Sequence, residues 1–168
     1  KIYLNNYKIL KLLNNNSILT EFIRSKLLYS ENINVNTSMF VNSKQNSSFF
    51  KKAKINFNVV SGKINFNKTI FENDDIASLE FNNSNLHSKG NNLVFNSDII
   101  IVVKNSDRLF SFLNTKKSSR KKFKDVYINL EYDFLSNQIE FNKIKIDNND
   151  VSDQFLNTAQ EFKGINSK

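Results

Sequence analysis

The segment KINFNVVSGKINFN, residues 54–67, alternates apolar and polar positions on both sides of a central Ser-Gly. Successive side chains of a strand point to opposite faces, so this period of two predicts two strands, and a two-residue turn at Ser61 and Gly62 pairs them antiparallel. In that register Val60 faces Lys63, Val59 faces Ile64 and Phe57 faces Phe66. Phe57, Val59, Ile64 and Phe66 then share an apolar face, while Asn56, Asn58, Asn65 and Asn67 share a polar one. The repeated KINFN is therefore read as the two legs of a hairpin.

The same alternation recurs along the chain. Ile33, Val35 and Thr37 alternate with Asn34, Asn36 and Ser38 ahead of a polar loop at 42–48. Ala77, Leu79 and Phe81 share a strand face, and a turn around Lys89, Gly90 and Asn91 leads to a strand in which Leu93, Phe95, Ile99, Ile101 and Val103 have one parity. Ile100 and Val102 take the other parity, which predicts burial on both faces beneath a helix. In a last hairpin, a turn at Ser136 and Asn137 sets Phe134 opposite Ile139 and Tyr132 opposite Phe141, with Asp133 and Glu140 pointing away. The apolar parity of the second leg then slips at Ile144 and Ile146, and a one-residue bulge near Asn142 or Lys143 brings Leu130 opposite Ile144.

Helical spacing is confined to short stretches. One follows Ser17 as N-cap (Ile18, Phe22, Ile23, Leu27, Leu28), and one follows Ser106 (Leu109, Phe110, Phe112, Leu113). The third closes the chain, with Val151, Phe155, Leu156, Ala159 and Phe162 on one side, a cap from Asp150 or Ser152, and Gly164 as C-cap. The pattern predicts a mainly β fold: a curved, predominantly antiparallel sheet of about seven or eight strands with an apolar groove face and two or three short helices. Residues 1–30 form a mixed or helical segment, 31–150 the sheet, and 151–168 the closing helix and tail.

Composition narrows the function classes. The chain has 168 residues with Cys 0, Pro 0 and Gly 3, so neither disulfides nor thiolate metal sites arise. About thirty asparagines, with abundant Lys, Ile and Phe, carry the imprint of AT-rich coding. The formal net charge is +8, nearly all from lysine, for Arg24, Arg108 and Arg120 are the only arginines. Base and phosphate recognition draws on the arginine fork, so nucleic acid is not an expected partner. The opening Lys1 suggests a piece of a longer protein, and no apolar run reaches the roughly 20 residues of a membrane span.

Catalytic constellations are missing from the pattern. His87 is the single histidine, and NSNLHSKGNN offers it no carboxylate or thiol partner. Asp147, Asp150 and Asp153 resemble a calcium loop superficially, but Ser152 stands where the loop needs Gly and Thr158 where it needs Glu. No phosphate loop, nucleophile elbow or zinc-protease motif occurs, and the reading is non-enzymatic with no cofactor and no metal. The densest charge is KKSSRKKFK, residues 116–124, where Lys116, Lys117, Arg120, Lys121, Lys122 and Lys124 form either a solvated loop or a contact for an anionic surface.

The runs SGKINFNKTIFENDDIASLEFNNSNL, LVFNSDIIIVVKNSDRLFSFL and INLEYDFLSNQIEFNKIKIDNN, spanning roughly residues 50–150, together resemble the C-terminal region of AsmA-like proteins of AT-rich alphaproteobacteria. The resemblance rests on the order of strand, Gly turn, strand, helix and basic link. It implies a periplasm-facing protein anchored in the inner membrane, whose curved antiparallel sheet carries phospholipids between membranes and serves outer-membrane biogenesis. The anchor would lie outside this segment, and other envelope proteins are candidate partners. On the parity argument the groove lining for phospholipid acyl chains comprises Ile55, Phe57, Val59, Ile64, Phe66, Leu79, Phe81, Tyr132, Phe134, Ile139 and Phe141. The alternative is a compact β-rich adaptor that binds a protein or anionic surface through residues 116–124.

Overall fold

The computed structural model describes residues 2–5, 25, 27, 30–43, 49–89, 92–134, 136 and 138–161. These residues are mainly β, in one ten-stranded sheet. The strands are β1 (Ile2–Asn5), β2 (Asn34–Asn42), β3 (Lys52–Val60), β4 (Lys63–Asn65), β5 (Thr69–Asn73), β6 (Ala77–Lys89) and β7 (Asn92–Val103). Helix α1 (Ser106–Phe112) and a 3₁₀ turn (Lys117–Ser119) precede β8 (Asp125–Asp133), β9 (Gln138–Ile146), β10 (Asn149–Asp150) and helix α2 (Asp153–Gln160). All pairings are antiparallel except that β1 lies parallel to β2, with Ile2 opposite Met39. Strand β1 thus joins the sheet from a segment whose apolar period alone does not announce one. The helix expected after Ser17 lies outside the described residues apart from Ser25 and Leu27, as do Phe162, Gly164 and residues 44–48 of the polar loop.

The first hairpin has the expected register, Val59 opposite Ile64 and Val60 opposite Lys63. Its turn residues Ser61 and Gly62 both have positive φ, 49° and 72°, the mirror-type turn whose twist matches the strands. Its polar face is not simply solvent-facing. Strand β3 pairs with β4 over Asn58–Val60 and then with β5 over Lys52–Lys54, and residues 66–68 turn between the two partners. Asn56 fills that break: its backbone N–H donates to Thr69 Oγ1 (2.9 Å), and its Nδ2 donates to the carbonyls of Lys68 (2.8 Å) and Asn67 (3.2 Å). On the other flank Ser84 Oγ accepts from the Phe66 N–H and donates to Asn67 Oδ1. The buried main chain of the interruption is satisfied by side chains in place of ladder bonds.

Two further expectations are corrected. The last hairpin is offset by two residues, with Tyr132 opposite Ile139, Leu130 opposite Phe141 and Asp133 opposite Gln138. Phe134 lies beyond the β8–β9 ladder, with its N–H donating to the Leu93 carbonyl (3.0 Å), and residues 134–137 join the two strands. An even shift preserves every face, and the bulge falls at Asn142, where the register steps from Leu130–Phe141 to Asn129–Lys143. Ile144 therefore meets Ile128 rather than Leu130. The second correction concerns Ile100 and Val102, which are 36% and 47% exposed rather than roofed by a helix. The following helix α1 turns the other way, packing Phe110 on Phe123 and Phe112 on Phe49.

The helix caps also differ in detail. Asn105, not Ser106, caps α1 by accepting from the Arg108 N–H, and Ser106 Oγ instead donates to the Phe123 carbonyl. Helix α2 begins on Ser152, whose side chain accepts from the Phe155 N–H, as the sequence predicts. It flanks β9, where the Gln160 side-chain amide donates to the Phe141 carbonyl (2.6 Å) and accepts from the Phe141 N–H (3.3 Å). One side chain thereby completes the strand edge where the bulge begins.

Candidate functional site

Register places all the strand residues of the expected lining on one face. Val59 faces Ile64, which faces Leu86, then Phe95, Tyr132 and Ile139. A second row runs Val41, Ala53, Phe71, Leu79, Ile101 and Val126. In β6 the rows would fall out of step between Phe81 and Leu86, but the register shift between Asn82 and Asn85 absorbs one residue, with Asn83 at φ 46°. That bulge returns Leu86 to the face of Phe81.

Burial divides the face. Ile55, Val59, Ile64 and Phe66 are buried, whereas Phe57, Leu79, Phe81, Tyr132, Phe134, Ile139 and Phe141 are half-buried. The core forms two clusters, one around Val59, Ile64, Phe66, Leu86 and Leu93, the other around Val41, Ala53, Ile55 and Phe71, and Phe81 packs against both. Among the described residues, neither cluster contains a helix residue. Across them runs a continuous file of rings, Phe112, Phe49, Phe50, Phe71, Phe81, Phe95, Phe66 and Phe57, with successive centroids 4.8–5.9 Å apart. Tilted and edge-on ring pairs of this kind contribute roughly 0.5–1.5 kcal/mol each beyond their area.

Five members of this file are additions to the expected lining. Phe95 shares the parity of Ile99 and is legible as such. Phe71 is harder, since Ile70 beside it masks the alternation of β5, and Phe49, Phe50 and Phe112 lie outside strands. Leu86 is missed for a separate reason, because parity changes at an unsignalled bulge.

The opposite face carries polar groups in defined places. Asp98 accepts from the Tyr127 hydroxyl, Asn129 Nδ2 and Asn83 Nδ2, each at 2.7 Å. Partial burial pushes its pKa up, but the hydrogen bonds from Asn129, Tyr127 and Asn83 together outweigh that and hold it below the usual carboxylate value. The bond to Asp98, chiefly, raises the Tyr127 phenol. With every oxygen committed, this carboxylate ties β6, β7 and β8 together. Two clefts border these strands: one of about 490 Å³ lined by Ile100, Val102, Asp125, Val126, Tyr127, Lys143, Lys145 and Asn148, the other of about 410 Å³ lined by Glu131, Asp133, Ser136, Gln138, Ile139, Glu140 and Gln160.

The remaining candidates fall at separate places. His87 sits within β6 opposite Val94. Asp147, at φ 48°, accepts from the N–H groups of Lys124 (2.7 Å) and Asp125 (3.1 Å), while Asp150 pairs with Lys143. Among the described residues no group of three or more His, Asp or Glu side chains could hold a metal ion, and no helix is long and apolar enough to cross a membrane. The basic residues 116–124 lie together in the link after α1.

No family model matches the chain, and neither a curated protein nor a solved structure matches it significantly.

Proposed function

We propose that the chain is a non-enzymatic, lipid-handling segment of an AsmA-like cell-envelope protein, whose apolar sheet face receives phospholipid acyl chains. The observation that carries this reading is the aromatic file on a face whose core clusters, among the described residues, are built from strands and their flanking loops. Half-buried rings and aliphatic side chains at Phe57, Leu79, Phe81, Tyr132, Phe134, Ile139 and Phe141 supply apolar area that a ligand can cover. Each methylene transferred from water gains about 0.8 kcal/mol, so an acyl chain of a dozen carbons gains on the order of ten, enough to offset the ordering of a flexible ligand. The interaction is non-directional and requires no catalytic group. In this reading phospholipid transport and outer-membrane biogenesis follow from passage along the face, with the segment facing the periplasm and held to the inner membrane by an anchor elsewhere in the protein.

The test is face-selective crosslinking. A photoreactive benzoyl-phenylalanine replaces Phe81 or Phe134 on the apolar face, or Ile100 on the opposite face, in the bacterial envelope. Lipid adducts are expected at the first two positions and not at the third. Adducts distributed equally, or confined to Ile100, contradict the assignment.

A further inference from the structure

Helix α1 leaves two large apolar side chains in water. Phe112 and Leu113, at its last turn and C-cap, are 43% and 58% exposed, while Leu109 and Phe110 from the same helix are buried. Immediately beyond them residues 113–124 contain no acidic side chain, and Lys116, Lys117, Lys121 and Lys122 are exposed and form no ion pair among the described residues. The link is also pinned. The Thr115 N–H donates to the Phe110 carbonyl (2.9 Å), Arg120 Nε donates to the Thr115 carbonyl (3.0 Å), the Phe123 ring stacks edge-on against Phe110 at 5.9 Å, and Ser106 Oγ holds the Phe123 carbonyl. Arg120 is thus occupied internally, and the four lysines and the apolar pair are displayed from one fixed loop.

We infer that this end of the molecule docks on the surface of an anionic phospholipid bilayer, with Phe112 and Leu113 entering the headgroup boundary and Lys116, Lys117, Lys121 and Lys122 meeting the lipid charge. The chemistry favours a bilayer over other polyanions. An exposed Phe-Leu pair is unfavourable in water and gains at a lipid interface, whereas a flexible lysine ammonium suits a diffuse charged surface better than the bidentate geometry of nucleic acid. Each such lysine near an anionic leaflet strengthens attachment about fivefold, and attraction fades over a Debye length as salt rises. The docking surface meets the acyl-chain reading only at Phe112, whose ring ends the aromatic file against Phe49, while Leu113 and the four lysines lie outside that file.

The chain has no tryptophan, so Leu113→Trp introduces a unique reporter. Its emission is expected to shift to the blue with vesicles of phosphatidylcholine containing about one-third phosphatidylglycerol, and to stay unshifted with phosphatidylcholine alone. Co-sedimentation should show at least a tenfold preference for the anionic vesicles, reduced by added salt. Replacing the four lysines by Gln should weaken binding about a hundredfold or more, and Leu113→Ser several-fold, both sets retaining the parent circular dichroism and melting behaviour because the sites are exposed. Equal binding to neutral vesicles, no binding, an unshifted emission, or tighter capture by a short RNA duplex at the same salt overturns the inference. Absence of co-purifying lipid leaves these outcomes unchanged, which separates a failure here from a failure of the acyl-chain assignment.

Discussion

Asn56 is only 8% exposed and serves partners on both sides of a strand break, taking a hydrogen bond from Ser38 Oγ while donating to two main-chain carbonyls. Removing it leaves buried acceptors unpaired, so Asn56→Ala should cost on the order of 2 kcal/mol in chemical denaturation. A loss within experimental error of zero contradicts the patching role. Nothing in the sequence separates Asn56 from Asn58, for both occupy the polar parity of KINFN. The difference arises where β4 gives way to β5, a long-range event. By contrast the Val59–Ile64 pair, now fully buried, is legible because turn chemistry and alternation agree. Asp147 makes a pH-dependent contribution. Hydrogen bonds from the backbone of Lys124, then Asp125, hold its carboxyl below the usual value. The folded form therefore binds fewer protons in the acid range, and its stabilisation is complete above the unfolded carboxylate pKa and lost as pH falls through the folded one. Asp147→Asn should flatten the stability profile below about pH 4, the unfolded carboxylate range, read from urea midpoints; an unchanged profile would count against the staple.

At the scale of elements, faces are more legible than registers. The final hairpin shifts by two residues without moving any side chain to the other side, since only odd shifts exchange faces. Its connection is longer than a two-residue turn, and the Phe134 N–H bonds to Leu93 on a third strand, a contact that local turn preference does not encode. Ile100 and Val102 illustrate the opposite error: a run of branched residues reads as doubly buried, yet the helix that follows is drawn to Phe49 and Phe123 instead. The edge of β9 is managed by short pieces, β10 pairing at Ile146 and Lys145, and Gln160 completing Phe141. Gln160→Ala should speed amide hydrogen exchange at Phe141 several-fold with little change in the melting temperature, because the edge is exposed and the core is untouched. Unaltered exchange at Phe141 would mean that the amide pairing is incidental.

For the molecule as a whole, one sheet presents two unlike surfaces. The apolar face carries a phenylalanine file that ends at Phe112, and the link after Phe112 gathers the densest positive charge. An acyl chain lying along that face and a bilayer meeting that end would be continuous, which joins the two proposals spatially while their tests remain separate. The common face of these residues was largely legible from period two, because a single sheet face needs only parity to be defined. Its contact with loop and helix rings was not, since residues such as Phe49 and Phe50 follow no period. Native mass spectrometry of the chain purified from a bacterial host, with extraction and identification of bound lipid, tests the central claim most directly. The account predicts phospholipid retained at a stoichiometric ratio and lost when Phe81 and Phe134 are replaced by polar residues that preserve the fold. A lipid-free chain that unfolds cooperatively would contradict it and identify the apolar face as a self-sufficient core.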